Sequence, residues 1–284
     1  MAFLDVEEGK RVYYEHYRGD KTPVVLVHCW GGTAQLWNST LSALLSAGHE
    51  VVRLDQRGCG QSDKDFSDAS IGAIASDVVA LVEHCGLDKP VINGWSLGGA
   101  VAVEAGSRLG DNLGGLVLTG AATPRFTPTE GWPYGNDRQG SEDTLALMAQ
   151  DRPAAMKGIA DACFAKPVSP ELSAWAWSQF ALNGPVAEQS LRELLDIDQR
   201  QLAREFNRPV LVVAGDEDAF VPYDGVLAAV DLFPSARLVK MEGCGHAPNM
   251  ENPSAYNAEL LSFLREIGEG RGARHDVAEN LNLV

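Results

Sequence analysis

The sequence predicts an α/β fold in which a mostly parallel sheet is covered by helices on both faces. Two observations predict it: short apolar runs alternate with helical patterns, and these runs are continuously apolar rather than alternating. Continuous apolar strands are typical of parallel sheets that are buried on both faces. A third observation adds detail, because residues 124–208 contain no convincing strand and indicate an inserted helical cap.

Each element has its own signal in the chain. Residues 11–17 form the first expected strand, which is joined to the preceding segment by a hairpin turn at Glu8-Gly9. Short apolar runs then predict parallel strands at residues 24–27, 51–55, 91–95, 116–119, 210–214 and 238–241. Helical patterns are expected at residues 34–47, 71–85, 97–109, 142–149, 186–202 and 254–267.

The alternation of strand and helix patterns is interrupted over residues 124–208, and this interruption predicts the domain organisation. Residues 1–123 and 209–267 are predicted to form one α/β core, because the strand and helix pattern resumes after the interruption. Residues 124–208 are predicted to form a helical cap between two strands of that core. Residues 268–284 are expected to form a C-terminal tail with no assigned role.

Composition excludes several classes of protein. The 284 residues carry 23 basic and 39 acidic side chains, a net charge of −16, which argues against binding to nucleic-acid phosphates or anionic membranes. The five cysteines are widely spaced and form no Cys-x-x-Cys pair, which argues against zinc-ribbon and thioredoxin sites. The beginning of the chain lacks signal-peptide features and no apolar stretch approaches 18 residues, so a cytoplasmic location is expected.

The strongest candidate for chemistry is the run Gly94-Trp95-Ser96-Leu97-Gly98-Gly99, which follows an expected strand and opens an expected helix. A sharp strand-to-helix turn holds its central serine in a strained conformation with the hydroxyl exposed. Glycine is needed on either side, where backbone and helix approach closely. We therefore expect Ser96 to be a nucleophile, and the alternative is a serine that caps the following helix.

Two further residues follow strand ends. His246 lies in a glycine-flanked loop after strand 238–241, and an imidazole is the base that a serine hydroxyl needs. Asp218 follows strand 210–214, where a carboxylate would orient the imidazole and stabilise its cation. The alternative for Asp218 is a residue of an Asx turn, and the alternative for His246 is a loop histidine that bonds backbone groups. Asp216 and Glu217 share the loop and are expected to solvate it or to bind turn amides.

The chain order Ser96, Asp218, His246 is that of the α/β-hydrolases, and the chain resembles this superfamily over residues 10–267. Within the superfamily it is similar to the pimeloyl-acyl-carrier-protein methyl ester carboxylesterases, with related esterases and perhydrolases alongside. The motifs that carry the resemblance are His28-x-Trp30-Gly31, Gly94-Trp95-Ser96-Leu97-Gly98-Gly99, Thr123-Pro124-Arg125-Phe126 and Glu130-Gly131-Trp132-Pro133. One position departs from the family pattern, because Cys29 follows the motif histidine where a glycine is usual.

The resemblance implies an α/β-hydrolase fold with an inserted cap and a serine hydrolase site. Backbone N–H groups of Trp30 and Leu97 are expected to form the oxyanion hole. His28 is expected to anchor its loop by hydrogen bonding. The residues expected to contact substrate, with packing in the core or cap as the alternative, are Trp30, Trp95, Phe126 and Trp132.

The expected activity is hydrolysis of carboxylic esters through an acyl-enzyme. The same three residues also serve lactonases, thioesterases, perhydrolases and carbon–carbon bond hydrolases, and a non-catalytic ligand receptor on this fold is an alternative of another class. A serine at position 96, rather than an aspartate, argues against haloalkane dehalogenase and epoxide hydrolase chemistry.

No cofactor or metal is expected. No Gly-x-Gly-x-x-Gly follows the first parallel strand, and Cys244 and His246 have no further ligands nearby in the sequence. The aromatic cap suggests a small hydrophobic ester as substrate. An acyl-carrier-protein partner is disfavoured, because carrier proteins are acidic and residues 124–208 hold nine basic against twelve acidic side chains.

Overall fold

The computed structural model describes the backbone of residues 2–281 and the side chains of residues 2–269. Its sheet is built from strands Ala2–Glu7 (β1), Lys10–Tyr17 (β2), Lys21–Val27 (β3), His49–Leu54 (β4), Val91–Trp95 (β5), Gly115–Thr119 (β6), Val210–Gly215 (β7) and Ala236–Met241 (β8). The helices of the core are Asn38–Ser46 (α1), Ile71–Cys85 (α2) and Leu97–Leu109 (α3). The later helices are Arg138–Gln150 (α4), Arg152–Ala162 (α5), Pro170–Phe180 (α6), Glu188–Leu194 (α7), Arg200–Glu205 (α8), Tyr223–Val230 (α9), Pro248–Glu251 (α10) and Pro253–Leu281 (α11).

The strands lie in the order β1-β2-β4-β3-β5-β6-β7-β8. β1 and β2 form the expected antiparallel hairpin, β2 pairs antiparallel with β4, and every later pairing is parallel. The predicted α/β fold with a mostly parallel sheet is therefore confirmed. Because the carboxyl ends of β3, β5, β6, β7 and β8 meet at one edge, loops distant in sequence converge there.

The central strand β5 shows how helices cover both faces of the sheet. All five of its residues are buried, as the continuous apolar run predicts. Its Asn93 side chain donates a hydrogen bond to the Tyr256 hydroxyl of α11 at 2.9 Å. A Cβ at the next residue, Gly94, would meet the backbone of α3. Since successive residues of a strand point to opposite faces, α3 and α11 cover opposite faces of the sheet.

Residues 124–208, which lie between β6 and β7, are called the cap below. They hold helices α4 to α8, and the described residues of this segment form no strand apart from an isolated bridge between Thr129 and Trp132. The single helix expected at 186–202 is wrong, because α7 ends at Leu194 and α8 begins at Arg200. Tertiary contacts explain the break. The backbone N–H of Gln199 donates to Pro124 O at 2.8 Å, and its side chain donates to Ala100 O at 2.9 Å.

The last helix is longer than the pattern indicated. The helix expected at 254–267 continues as α11 from Pro253 to Leu281 and includes most of the expected tail, while residues 282–284 lie outside the described residues. Gly268 does not end it, since a glycine inside a helix costs only about 1 kcal/mol relative to alanine. Among the described helices, none has an apolar stretch long enough to cross a membrane.

Candidate active site

Ser96 lies at the turn between β5 and α3. Its backbone has φ of 58° and ψ of −122°, a strained conformation that costs a residue with a Cβ about 1–3 kcal/mol. The backbone N–H of Ser96 donates to Thr119 O at 3.0 Å, and the Ala122 N–H donates to Ser96 O at 3.0 Å. These bonds to the end of β6 hold the strained turn, and Ser96 lines the cavity at this edge of the sheet.

Close contacts between backbones explain the glycines around Ser96. A Cβ at Gly94 would lie 2.1 Å from the carbonyl oxygen of Gly98. A Cβ at Gly98 would lie 2.5 Å from the carbonyl oxygens of both Val27 and His28. Both distances are far below van der Waals contact, so the turn requires glycine at these two positions.

His246 and Asp218 are joined by a hydrogen bond. The Nδ1 atom of His246 lies 2.8 Å from Oδ2 of Asp218, and the two side chains are 4% and 1% exposed. The other carboxylate oxygen, Oδ1, accepts the N–H groups of Phe220 at 2.8 Å and Val221 at 2.9 Å. An acceptor at Nδ1 favours the tautomer with its proton on that atom, which leaves Nε2 free to act as a base.

The neighbouring Asp216 has a different role. Its Oδ1 accepts the backbone N–H of Gly243 at 2.7 Å, and its Oδ2 lies 3.6 Å from the Lys240 ammonium. The Gly243 bond lowers the pKa of Asp216, as does the Lys240 charge. Asp216 therefore fixes the base of the loop that carries His246, whereas Asp218 contacts the imidazole itself.

The His246 ring is also fixed by aromatic neighbours. The Phe220 ring lies 4.9 Å from it, between ring centroids, and the Trp95 indole N–H donates to the backbone oxygen of His246 at 2.7 Å. Ser96 and His246 line the same cavity. In residues 2–269 no hydrogen bond joins their side chains, and such bonds are often long until substrate binds.

The two expected oxyanion donors have free N–H groups. Within the described side chains and backbone, the N–H groups of Trp30 and Leu97 donate no hydrogen bond. Leu97 is the first residue of α3, where helical N–H groups lack partners inside the helix. Residues 28–32, called the Trp30 loop, are held by the cap. The Trp30 indole donates to Ala187 O at 2.7 Å, and the Asn183 side chain donates to Gly31 O at 3.3 Å.

His28 anchors the Trp30 loop, as expected from the sequence. Its Nδ1 lies 2.7 Å from Cys29 O, and its Nε2 accepts the backbone N–H of Gln56 at 2.9 Å. Because Nε2 accepts an N–H it carries no proton, so the ring is neutral, and burial lowers the pKa of His28. Burial raises the pKa of the neighbouring Cys29 thiol well above its usual range, and this side chain lines the cavity.

A cavity of about 270 Å³ lies between the edge of the sheet and the cap. Its lining is mostly apolar, as is usual for small-molecule sites, and among the described residues it includes no Asp, Glu, Lys or Arg. The apolar cap residues that line it include Phe126, Ile159, Phe180, Leu191 and Leu194. Besides Ser96 and His246, the polar side chains of its lining are those of Asn136, Ser141 and Thr144.

Two of the four residues expected to contact substrate line this cavity, Trp30 and Phe126. The other two require correction. Trp95 is fully buried and packs edge-on against Trp37 with ring centroids 6.0 Å apart, because it still belongs to β5. Trp132 packs against Tyr134 and borders a separate small cavity.

Sequence reasoning missed other lining residues. Phe220 follows Asp218 by two positions, so its place in the same loop was a usable signal. Phe180 and Leu194 had no such signal, because a helical pattern marks a buried face without distinguishing a cavity from a packed core.

The five cysteines are free and buried. Among the described residues, no cluster of three or more His, Cys, Asp or Glu is arranged to hold a metal.

Comparison with known proteins identifies the relatives of this chain. The profile of a family described as "alpha/beta hydrolase fold" matches residues 22–253. The bifunctional esterase/perhydrolase DCH of Acinetobacter calcoaceticus is 25% identical, covering 93% of this chain and 100% of that protein. The pimeloyl-[acyl-carrier protein] methyl ester esterase of Aliivibrio fischeri is 27% identical, covering 89% of this chain and 97% of that protein.

A solved structure supports the same relationship. The esterase from Exiguobacterium antarcticum superposes with a TM-score of 0.88 at 26% identity, covering 93% of this chain and 98% of the esterase. The resemblance drawn from the motifs is thus confirmed.

Proposed function

The chain belongs to the α/β hydrolase fold family, and from that premise we propose that it hydrolyses carboxylic esters, with Ser96 as nucleophile. The observation that carries the proposal is the hydrogen bond of 2.8 Å between His246 Nδ1 and Asp218 Oδ2, beside a strained Ser96 on the same cavity. This arrangement presents a hydroxyl, a base and a carboxylate in the order that nucleophilic acyl transfer requires.

The reaction begins when His246 Nε2 takes the proton of Ser96 Oγ as that oxygen attacks the acyl carbon. The carbonyl oxygen becomes an oxyanion, which the N–H groups of Trp30 and Leu97 stabilise, each by about 3–4 kcal/mol of barrier. His246 then gives its proton to the leaving alcohol, and Asp218 stabilises the intervening imidazolium.

Water completes the cycle. His246 takes a proton from water as the water oxygen attacks the acyl-enzyme. The bond between the acyl carbon and Ser96 Oγ then breaks, and the proton returns from His246 to Ser96. The products are the carboxylic acid and the free enzyme.

The lining of the cavity indicates a neutral, largely apolar ester. A charged substrate group would lose its hydration without gaining an ion pair, because no Asp, Glu, Lys or Arg lines the cavity in the described residues. Apolar side chains of the cap, among them Phe180 and Leu194, supply the contact area for an acyl or alcohol chain.

A pair of activated esters of matched length tests this selectivity. The kcat/KM of p-nitrophenyl hydrogen succinate is expected to be at least about 100-fold below that of p-nitrophenyl pentanoate, because the carboxylate must be buried unpaired. Release of p-nitrophenol measures both rates. Equal values would contradict the proposed substrate class.

A carrier-linked methyl ester is likewise expected to react no faster than the free methyl ester.

Perhydrolysis is a second candidate, favoured by the relative named as a bifunctional esterase/perhydrolase, which aligns with 93% of this chain. Hydrogen peroxide would replace water: His246 takes one peroxide proton as that oxygen bonds to the acyl carbon, and the bond from the acyl carbon to Ser96 Oγ then breaks as the proton passes from His246 to Ser96. The product is a peracid. We expect ester plus hydrogen peroxide to yield peracid, measured by bromide oxidation against an enzyme-free control. Ester turnover without peracid would remove this candidate.

A further inference from the structure

Glu251, the last residue of α10, connects the His246 loop with the cap. Its Oε1 accepts the backbone N–H of Gly245 at 2.7 Å, and its Oε2 accepts the backbone N–H of Ala165 at 2.8 Å. Gly245 immediately precedes His246, and Ala165 lies in the cap just beyond α5. A single half-buried carboxylate therefore binds one backbone amide in the loop that carries His246 and one in the cap.

A second bond joins the same two segments. The N–H of Ala247, which follows His246, donates to Cys163 O in the cap at 3.0 Å. The backbones are in close contact here, since a Cβ at Gly245 would lie 2.6 Å from the Ala165 nitrogen. Both neighbours of His246 are thus tied to residues 163–165, one of them through Glu251.

The two bonds to Glu251 need a carboxylate rather than another acceptor. Two N–H donors converge on one side chain, and only a carboxylate presents a separate acceptor oxygen to each. Burial raises the pKa of Glu251, the Ala165 and Gly245 amides oppose that shift, and the Asp218 charge adds to it. A glutamine would turn an NH₂ group towards one of the donors and leave that backbone N–H unpaired.

We propose that Glu251 is a positioning residue for His246, and that it makes the placement of the base depend on the docked cap. The inference rests on the proposed ester hydrolysis, in which His246 transfers protons at Nε2. Loss of the Gly245 bond would let the loop shift. A misplacement of about 1 Å in a catalytic group costs up to about 100-fold in rate.

The test compares Glu251→Gln with the matched control Glu193→Gln. Glu193 of α7 also joins cap to core, because its Oε2 accepts the Ile71 N–H at 2.6 Å, but it has no bond to the His246 loop. Active sites are titrated with a fluorophosphonate. With p-nitrophenyl pentanoate as substrate, kcat is then calculated per titrated site, and KM is measured in the same assay. We expect kcat to fall about 10- to 100-fold in Glu251→Gln with little change in KM, and to stay at the wild-type value in Glu193→Gln.

The outcomes separate positioning from stability. A wild-type kcat per titrated site in Glu251→Gln overturns the inference, even if the thermal midpoint falls. If the glutamine variant does not fold, Glu251→Asp takes its place, because aspartate keeps the charge but is too short to reach both amides. A wild-type kcat per titrated site in Glu251→Asp likewise overturns the inference. A fall of the same size in Glu193→Gln also overturns the inference. Wild-type protein that hydrolyses no ester overturns the proposed function instead, and this inference with it.

Discussion

Replacing Ser96 with alanine is expected to lower kcat/KM for p-nitrophenyl pentanoate by on the order of 10⁵- to 10⁶-fold, since removal of the nucleophile removes the acyl-enzyme route. The same change is expected to abolish covalent labelling by a fluorophosphonate. Labelling is the sharper measurement because it reports the attack of the Ser96 hydroxyl directly, without depending on which ester the cavity prefers. The fold should survive, because alanine removes only one oxygen from a cavity wall.

Ser141 provides the matched control for Ser96. It lines the same cavity from the cap, but no described imidazole hydrogen bonds to it. Ser141→Ala is expected to be labelled at the wild-type rate and to retain turnover. Equal labelling of Ser96→Ala and wild type would overturn the assignment of the nucleophile. Thermal stabilisation by a neutral ester without any turnover in the wild type would favour a ligand receptor in place of an enzyme.

The geometry of the sheet edge explains why the placement of Ser96, Asp218 and His246 at one edge was predictable from the sequence. Ser96, Asp218 and His246 each follow a strand end, and parallel strands bring such ends to one edge. A glycine pattern marked the turn at Ser96, and the structure explains it through the contact that a Cβ at Gly94 would make with Gly98 O. These signals are local, so a single sequence carries them.

The cap and the loop contacts were harder to predict because they depend on distant partners. The break between α7 and α8 arises from Gln199, whose contacts are with Pro124 and Ala100. Glu251 and Ala165 are 86 residues apart, and nothing near either one marks the pairing. Trp95 was misassigned for the opposite reason, since closeness to Ser96 in sequence suggested a cavity wall while strand geometry directs its ring into the core.

Replacing Asp218 with asparagine is expected to lower kcat by about 10⁴-fold, the size of effect known for the orienting acid of serine proteases. Two functions are lost together. The asparagine no longer balances the imidazolium charge, and its amide group competes for the position now held by Oδ2, 2.8 Å from His246 Nδ1. The measurement is kcat per fluorophosphonate-titrated site, which excludes losses that arise from unfolded protein.

Asp216→Asn is the control that identifies which acid serves His246. Asp216 lies in the same loop two residues earlier, and its contacts are with the Gly243 amide and Lys240. We therefore expect Asp216→Asn to retain kcat within about tenfold of wild type, because Asp218 still orients the ring. If the loss in Asp216→Asn equalled or exceeded that in Asp218→Asn, the carboxylate at Asp218 would be a turn residue. The hydrogen bond at 2.8 Å would then not be the one that the reaction uses.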